Sequence, residues 1–76
     1  MNEQAPRELA DLAYDCAVAG GGLEAFMRGL RTRNLATVQA AVDLAEEEFL
    51  RTSDDRWTSA ARLMSYAISS GFFGHR

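Results

Sequence analysis

The segment LATVQAAVDLAEEEFLRTSDDRWTSAARLM, residues 35–64, decides the fold because two helical patterns meet within it. In each half, apolar residues recur three and four positions apart, the spacing that places side chains on one face of a helix. The inward residues of the first half are Leu35, Val38, Val42, Ala45 and Phe49. Those of the second half, extended by one turn, are Trp57, Ala61, Met64 and Ile68. Two such helices joined by a few residues favour antiparallel packing.

Polar residues before each half predict where the two helices begin. Asn34 suits the N-cap of the first, because a short polar side chain can accept hydrogen bonds from unpaired backbone N–H groups. Thr52 or Ser53 is predicted to cap the second. Asp54 and Asp55 then fall in its first turn, where negative charge complements the helix dipole.

The rest of the chain predicts two further helices. Leu9, Leu12, Ala13 and Cys16 repeat the helical spacing, and the glycines at 20–22 end that helix. A shorter helix follows with Leu23, Phe26, Met27 and Leu30 on its inward face. The predicted helices cover residues 6–19, 22–32, 35–51 and 54–70, with a tail over 71–76. The sequence therefore predicts one all-α domain over residues 1–76, a compact antiparallel bundle of four helices.

Size and charge limit the function classes. A chain of 76 residues buries only about 60% of the surface that it exposes when unfolded, so a partner or a second copy would add stability. The net charge of -3 has the wrong sign for gripping nucleic acid over the whole surface. One cysteine, no secretion signal and no long apolar run predict a cytoplasmic protein without membrane contact.

Catalytic chemistry finds little support in the side chains. Cys16 lies on the apolar stripe of the first helix, where a thiol acts as a small hydrophobic group. The one histidine, His75, has no second ligand near it in sequence. The carboxylates of Asp43, Glu46 and Glu47 share a helix face without an apolar pocket, which is typical of a solvated face. We expect no catalytic residue, metal, cofactor or small-molecule substrate.

An arginine cluster is the candidate for binding an anion or a nucleic acid. It consists of Arg28, Arg31, Arg33 and Asn34, between the second and third helices. This position invites comparison with a helix-turn-helix, but Arg28 falls where that motif buries an apolar side chain. The carboxylates of the third helix would also oppose a phosphate backbone. The alternative is that these cations favour a helix C-terminus through its dipole.

Apolar residues outside the four core stripes are the candidates for contact with a protein partner. Together with Glu47, which could meet a basic surface, the candidates are Tyr14, Val18, Ala40, Leu44, Leu63, Tyr66 and Phe73. Within a monomer they could instead widen the contacts between helices. Gly71 is predicted to end the last helix so that Phe72 folds back over it, which leaves Phe73 to the core or to a partner.

These features favour a noncatalytic function. We expect a small acidic helical protein that acts by protein–protein contact as a regulator, an adaptor or an inhibitor of a larger complex, with a second copy of itself among its partners. Free-standing small acidic proteins of phages and bacteria offer an analogy of class only. The alternative is a helix-turn-helix-like regulator that binds nucleic acid through residues 28–34.

Overall fold

The computed structural model describes residues 4–30 and 34–70, and within these ranges the chain is helical with no strand. Its elements are α1 (Gln4–Ala19), α2 (Gly22–Gly29), α3 (Leu35–Thr52) and α4 (Asp55–Ser69). The predicted all-α fold of four helices with a short second helix is confirmed. The predictions for Arg31, Arg33, Gly71, Phe72, Phe73 and His75 lie outside the described residues.

The core is built where α1, α3 and α4 pack on one another, and α2 packs against α1 and α4. Seven of its buried residues are alanines, which let the helices approach closely: Ala10, Ala13, Ala41, Ala45, Ala60, Ala61 and Ala67. The largest fully buried side chains are Phe26, Val38 and Met64, one from each of α2, α3 and α4. Because large apolar side chains are few, each contributes a large share of the apolar area that stabilises the fold.

The helix α2 is shorter than the sequence predicts. It ends at Gly29, and Leu30 is already extended with φ -73° and ψ 133°, so the predicted continuation to residue 32 is wrong at Leu30. Phe26 anchors α2 in the core. Gly29 lies against Leu12 of α1, where an added Cβ would meet the leucine Cδ1 at 3.1 Å. The buried Phe26 and the close approach of Gly29 to Leu12 hold α2 against the bundle.

The turn between α1 and α2 depends on glycine. Gly20 and Gly22 have φ values of 76° and 70°, in the left-handed region that residues with a Cβ rarely adopt. The N–H of Gly21 donates to the carbonyl of Cys16 at 3.0 Å, closing the end of α1. At its other end, α1 begins at Gln4, two residues before the predicted start at Pro6.

The connection between α3 and α4 is two residues long. Asn34 caps α3 as predicted, accepting from the N–H groups of Ala36 and Thr37 at 2.9 and 3.4 Å. The predicted Thr52 or Ser53 cap of the fourth helix is wrong. Asp54 caps α4, whereas Ser53 adopts the left-handed conformation and donates its N–H to the carbonyl of Phe49. Ser53 is therefore the C-cap of α3, which leaves the next residue to start α4.

Candidate functional site

An open groove lies where the end of α1 and the start of α2 face α4. Its volume is about 240 Å³ and its lining is mainly apolar. The lining residues are Cys16, Ala17, Gly20, Gly22, Ser59, Arg62, Leu63 and Tyr66. We call it the α1–α4 groove.

Helical spacing and side-chain size explain why the groove forms. Ser59, Arg62 and Tyr66 of α4 are three and four positions apart, so they lie on one face of that helix. Opposite them lie Ala17 of α1 and Gly20, which follows the end of α1. Because a methyl group and a hydrogen atom project little from the backbone, they leave the space beside the α4 side chains unfilled.

Two of the predicted partner-binding residues meet in this groove. Leu63 is partly buried and packs against the core from the groove wall. Tyr66 is 56% exposed, so more than half of its side chain is available to another molecule. Val18 is also half exposed, but it follows the lining residue Ala17 without lining the groove itself.

Tyr14, in contrast, is engaged within the chain. Its ring stacks at a tilt on Trp57 of α4, with 4.3 Å between the ring centroids. Its hydroxyl donates a hydrogen bond of 2.6 Å to the carboxylate of Asp54. The sequence analysis assigned Tyr14 to the apolar residues outside the core stripes. In the structure Tyr14 is half-buried between α1 and α4.

The carboxylate of Asp54 connects Tyr14 to Arg56 through hydrogen bonds. It accepts from the Arg56 guanidinium at 2.9 and 3.1 Å and from the Arg56 backbone N–H at 3.0 Å, in addition to Tyr14. The Arg56 guanidinium first, and the Tyr14 hydroxyl second, hold the pKa of Asp54 well below its usual range. The hydrogen bond between the Tyr14 hydroxyl and Asp54 is the main cause that raises the pKa of Tyr14, and burial is the second cause. The network fixes the start of α4 against α1.

The remaining predicted contact residues lie on α3. Ala40 and Leu44 are half-buried, and Leu44 packs against the core, so neither offers a fully exposed surface. Glu47 is exposed. Sequence reasoning missed Leu50, which is 79% exposed. The signal was present, since Leu50 follows the inward residue Phe49 and shares the helix face of Glu47.

Cys16 lies at the boundary between the core and the groove. It is buried, as the apolar stripe predicts, although some of its surface reaches the groove wall. Burial, and to a smaller extent the nearby Asp15, raises the pKa of its thiol. A thiol held in its protonated form is a poor nucleophile. Its local environment therefore suits packing.

The arginine cluster is only partly described. Arg28 is exposed near the end of α2. The Asn34 side chain is engaged in capping α3. The helices α2 and α3 both lie fully within the described ranges, and none of their Cα atoms come within 8 Å of each other. In a helix-turn-helix the two helices pack together across a tight turn, so this arrangement does not supply the frame for that motif.

Residues 4–30 and 34–70 contain no group of three or more histidine, cysteine, aspartate or glutamate side chains placed to hold a metal ion. None of the described helices is both long enough and apolar enough to cross a membrane. The chain matches no protein-family model, no curated protein and no solved structure.

Proposed function

We propose that this chain is a noncatalytic protein-interaction domain that binds a protein partner through the α1–α4 groove and so acts as a regulator, an adaptor or an inhibitor of a larger complex. The observation that supports it is the groove itself, an open apolar concavity with Tyr66 56% exposed at its wall. We assign this activity to the cytoplasm, where a reduced, buried Cys16 is expected.

The size of the groove favours a protein partner over a small molecule. Small-molecule sites usually have volumes of about 300–1,000 Å³, and this groove has about 240 Å³. That space suits one or two side chains inserted from another protein. Such anchoring side chains in shallow apolar pockets carry most of the binding free energy in many protein interfaces.

The residues of the groove are also those that interfaces favour. Tyrosine is enriched among the residues that dominate binding, because its ring buries a large area and its hydroxyl remains hydrogen-bonded. Tyr66 and Leu63 would supply the apolar contact, and Arg62, exposed beside them, would supply a charged group at the edge. An apolar centre with a polar rim is the usual anatomy of a protein interface.

The test is capture of a partner with a matched pair of variants. Tagged protein is used to capture partners from lysate of the source cell, treated with nuclease, and the bound proteins are identified by mass spectrometry. Tyr66→Ala removes the exposed ring from the groove. Ser65→Ala is the control, because Ser65 is also exposed on α4 but does not line the groove. We expect a nuclease-resistant protein to bind the wild type and Ser65→Ala, and to be lost with Tyr66→Ala.

A photo-crosslinking residue at position 63 makes the test more specific. It should link the captured protein to the groove, whereas the same residue at the exposed position of Thr58, which does not line the groove, should not. Equal capture by Tyr66→Ala and the wild type, with both chains folded by circular dichroism, would contradict the proposal. Release of every captured protein by nuclease would contradict it as well.

A further inference from the structure

We propose that the α1–α4 groove receives a second copy of this chain, which inserts the outer face of its α3, so that copies associate head to tail. The outer face consists of Asp43, Glu46, Glu47 and Leu50, all exposed. This inference rests on the proposed function, since it names the occupant of the same groove.

The apolar part of the contact would come from Leu50. At 79% exposure it is the most exposed large hydrophobic side chain in the described part of the chain. Exposed apolar area of this kind is stabilised by burial, at about 25 cal/mol for each Å² removed from water. A leucine side chain fits within the groove volume of about 240 Å³, where Leu63 and Tyr66 would contact it. The chain thus carries both an apolar projection and an apolar concavity.

The charges of the two surfaces are complementary. Arg62, in the groove lining, forms no ion pair with any described residue, whereas Arg7, Arg51 and Arg56 each pair with a carboxylate of the same chain. On the outer face, Glu46 and Glu47 also form no ion pair within the described ranges. An unpaired cation therefore faces unpaired carboxylates when two copies meet in this way.

The spacing of these groups is matched along the two helices. Glu46 and Glu47 lie four and three residues before Leu50, which is about one helical turn. Arg62 lies one turn before Tyr66 on α4. A copy that seats Leu50 against Tyr66 can therefore bring one of its carboxylates to Arg62. The contact is apolar at its centre and ionic at its edge, which fixes its direction.

Head-to-tail geometry is expected because the two surfaces differ. The groove lies between α1 and α4, and the outer face lies on α3, so one contact between two copies leaves one groove and one outer face unused in the pair. Such a heterologous contact builds rings or open filaments. A symmetric contact of groove with groove would instead place the two Arg62 side chains near each other, and their like charges would repel.

The test is the self-association of purified chain and of two single-surface variants. Light scattering after size exclusion and sedimentation velocity are measured over a range of concentrations. We expect the wild type to form species larger than a dimer as concentration rises. Leu50→Asp disables the outer face, and Arg62→Glu disables the groove. Each variant should therefore be monomeric. Its self-association should be weakened by about 30-fold or more, which is the effect of removing an interface hot spot. Ser65→Asp, outside both surfaces, should behave as the wild type.

Mixing the two variants is the decisive measurement. The Leu50→Asp chain keeps an intact groove and the Arg62→Glu chain keeps an intact outer face, so an equimolar mixture should form a one-to-one dimer and nothing larger. Combining Arg62→Glu with Glu46→Arg and Glu47→Arg in one chain should restore the larger species, since the charges are exchanged. Circular dichroism verifies that each variant is folded.

Three results would overturn the inference: a wild type that stays monomeric at every concentration, a wild type that stops at a symmetric dimer, or a variant mixture that stays monomeric. The proposed function is judged separately, by capture. If the chain does not self-associate but Tyr66→Ala still loses its captured partner, the groove binds a different protein and only this inference fails. If capture is also independent of Tyr66, both proposals fail.

Discussion

The same two helices, α1 and α4, meet in two different ways along their contact. Near the start of α4, Tyr14 and Trp57 stack and close the space between the helices. Near the end of α1, Ala17 and Gly20 face Arg62 and its neighbours across an open groove. The helices and their packing partners are shared, so the difference lies in side-chain size. Large aromatic rings close one end of the contact, and small residues leave the other end open.

The comparison separates stability from binding within a very small protein. The closed end buries Trp57 and orders the first turn of α4 through Asp54. The open end leaves apolar area in contact with water, with Tyr66 more than half exposed. Substitutions at the closed end should therefore change the free energy of unfolding, whereas substitutions of the groove side chains should change binding and leave the fold nearly unaltered. Gly20 is the exception at the open end, because its φ of 76° makes any L-residue there costly.

The largest effect is expected from Trp57→Ala, which breaks the closed end. Removing a buried tryptophan side chain costs about 3–5 kcal/mol, a large part of the total stability of about 5–15 kcal/mol that is usual for a domain. Urea denaturation followed by far-ultraviolet circular dichroism measures this. Tyr66→Ala is the matched aromatic control at the open end, with an expected change within about 0.5 kcal/mol. Equal losses in the two variants would remove the distinction between the ends.

A smaller loss is expected from Gly20→Ala at the open end. The φ of 76° at Gly20 lies in the left-handed region, and no atom lies within 4 Å of a Cβ placed there. The cost is then conformational strain alone, about 1–2 kcal/mol. D-alanine at the same position, introduced by chemical synthesis, favours that conformation and should cost nothing. A loss with D-alanine as large as with L-alanine would show that space, and not backbone conformation, requires glycine here.

Asp54→Asn tests the closed end through pH. Because the folded pKa of Asp54 is lowered from 3.8, its charge adds stability that is fully present above that unfolded value and is lost as pH falls towards the folded value. Asparagine keeps an acceptor for the cap but has no charge. The stability advantage of the wild type over Asp54→Asn, measured by urea denaturation, should therefore be constant at neutral pH and shrink below about pH 4. An advantage independent of pH would contradict the role of the carboxylate.

The smallest change in stability is expected from Ala17→Leu, which makes the open end resemble the closed one. A leucine side chain entering an open groove should alter the free energy of unfolding by about 0.5 kcal/mol or less. Partner capture should nevertheless be lost, because the side chain occupies the space that the partner needs. Unchanged capture, with unchanged stability, would place the binding surface elsewhere.

The architecture was predictable because helical spacing and caps are local properties of the sequence. The burial of Val38 and Ala45 in α3 and the cap at Asn34 follow from residues that lie within a few positions of one another, whereas the buried Ala41 was not in the predicted stripe. The start of α4 was misjudged by one or two residues, because Ser53 and Asp54 are both good caps. Their roles depend on which of them adopts the left-handed conformation that ends α3.

The site was less predictable because it depends on how helices face one another. Tyr14 and Tyr66 both lie outside the core stripes in sequence, yet only one of them meets an aromatic partner across α1 and α4. Periodicity within one helix contains no information on that register. One side of the groove is lined by the small residues Ala17 and Gly20, and a small residue gives no signal of its own until the opposite wall is known.

The positions of the tyrosines give each end of this contact its own spectroscopic reporter. The chain contains two tyrosines and one tryptophan, and the tryptophan stacks on Tyr14 at the closed end. Replacing both tyrosines with fluorotyrosine would yield two ¹⁹F resonances, one from Tyr14 and one from the exposed Tyr66. Their assignment needs one substitution, Tyr66→Phe. Occupation of the groove could then be followed by NMR in an unpurified mixture, with the Tyr14 signal as an internal reference for the folded state.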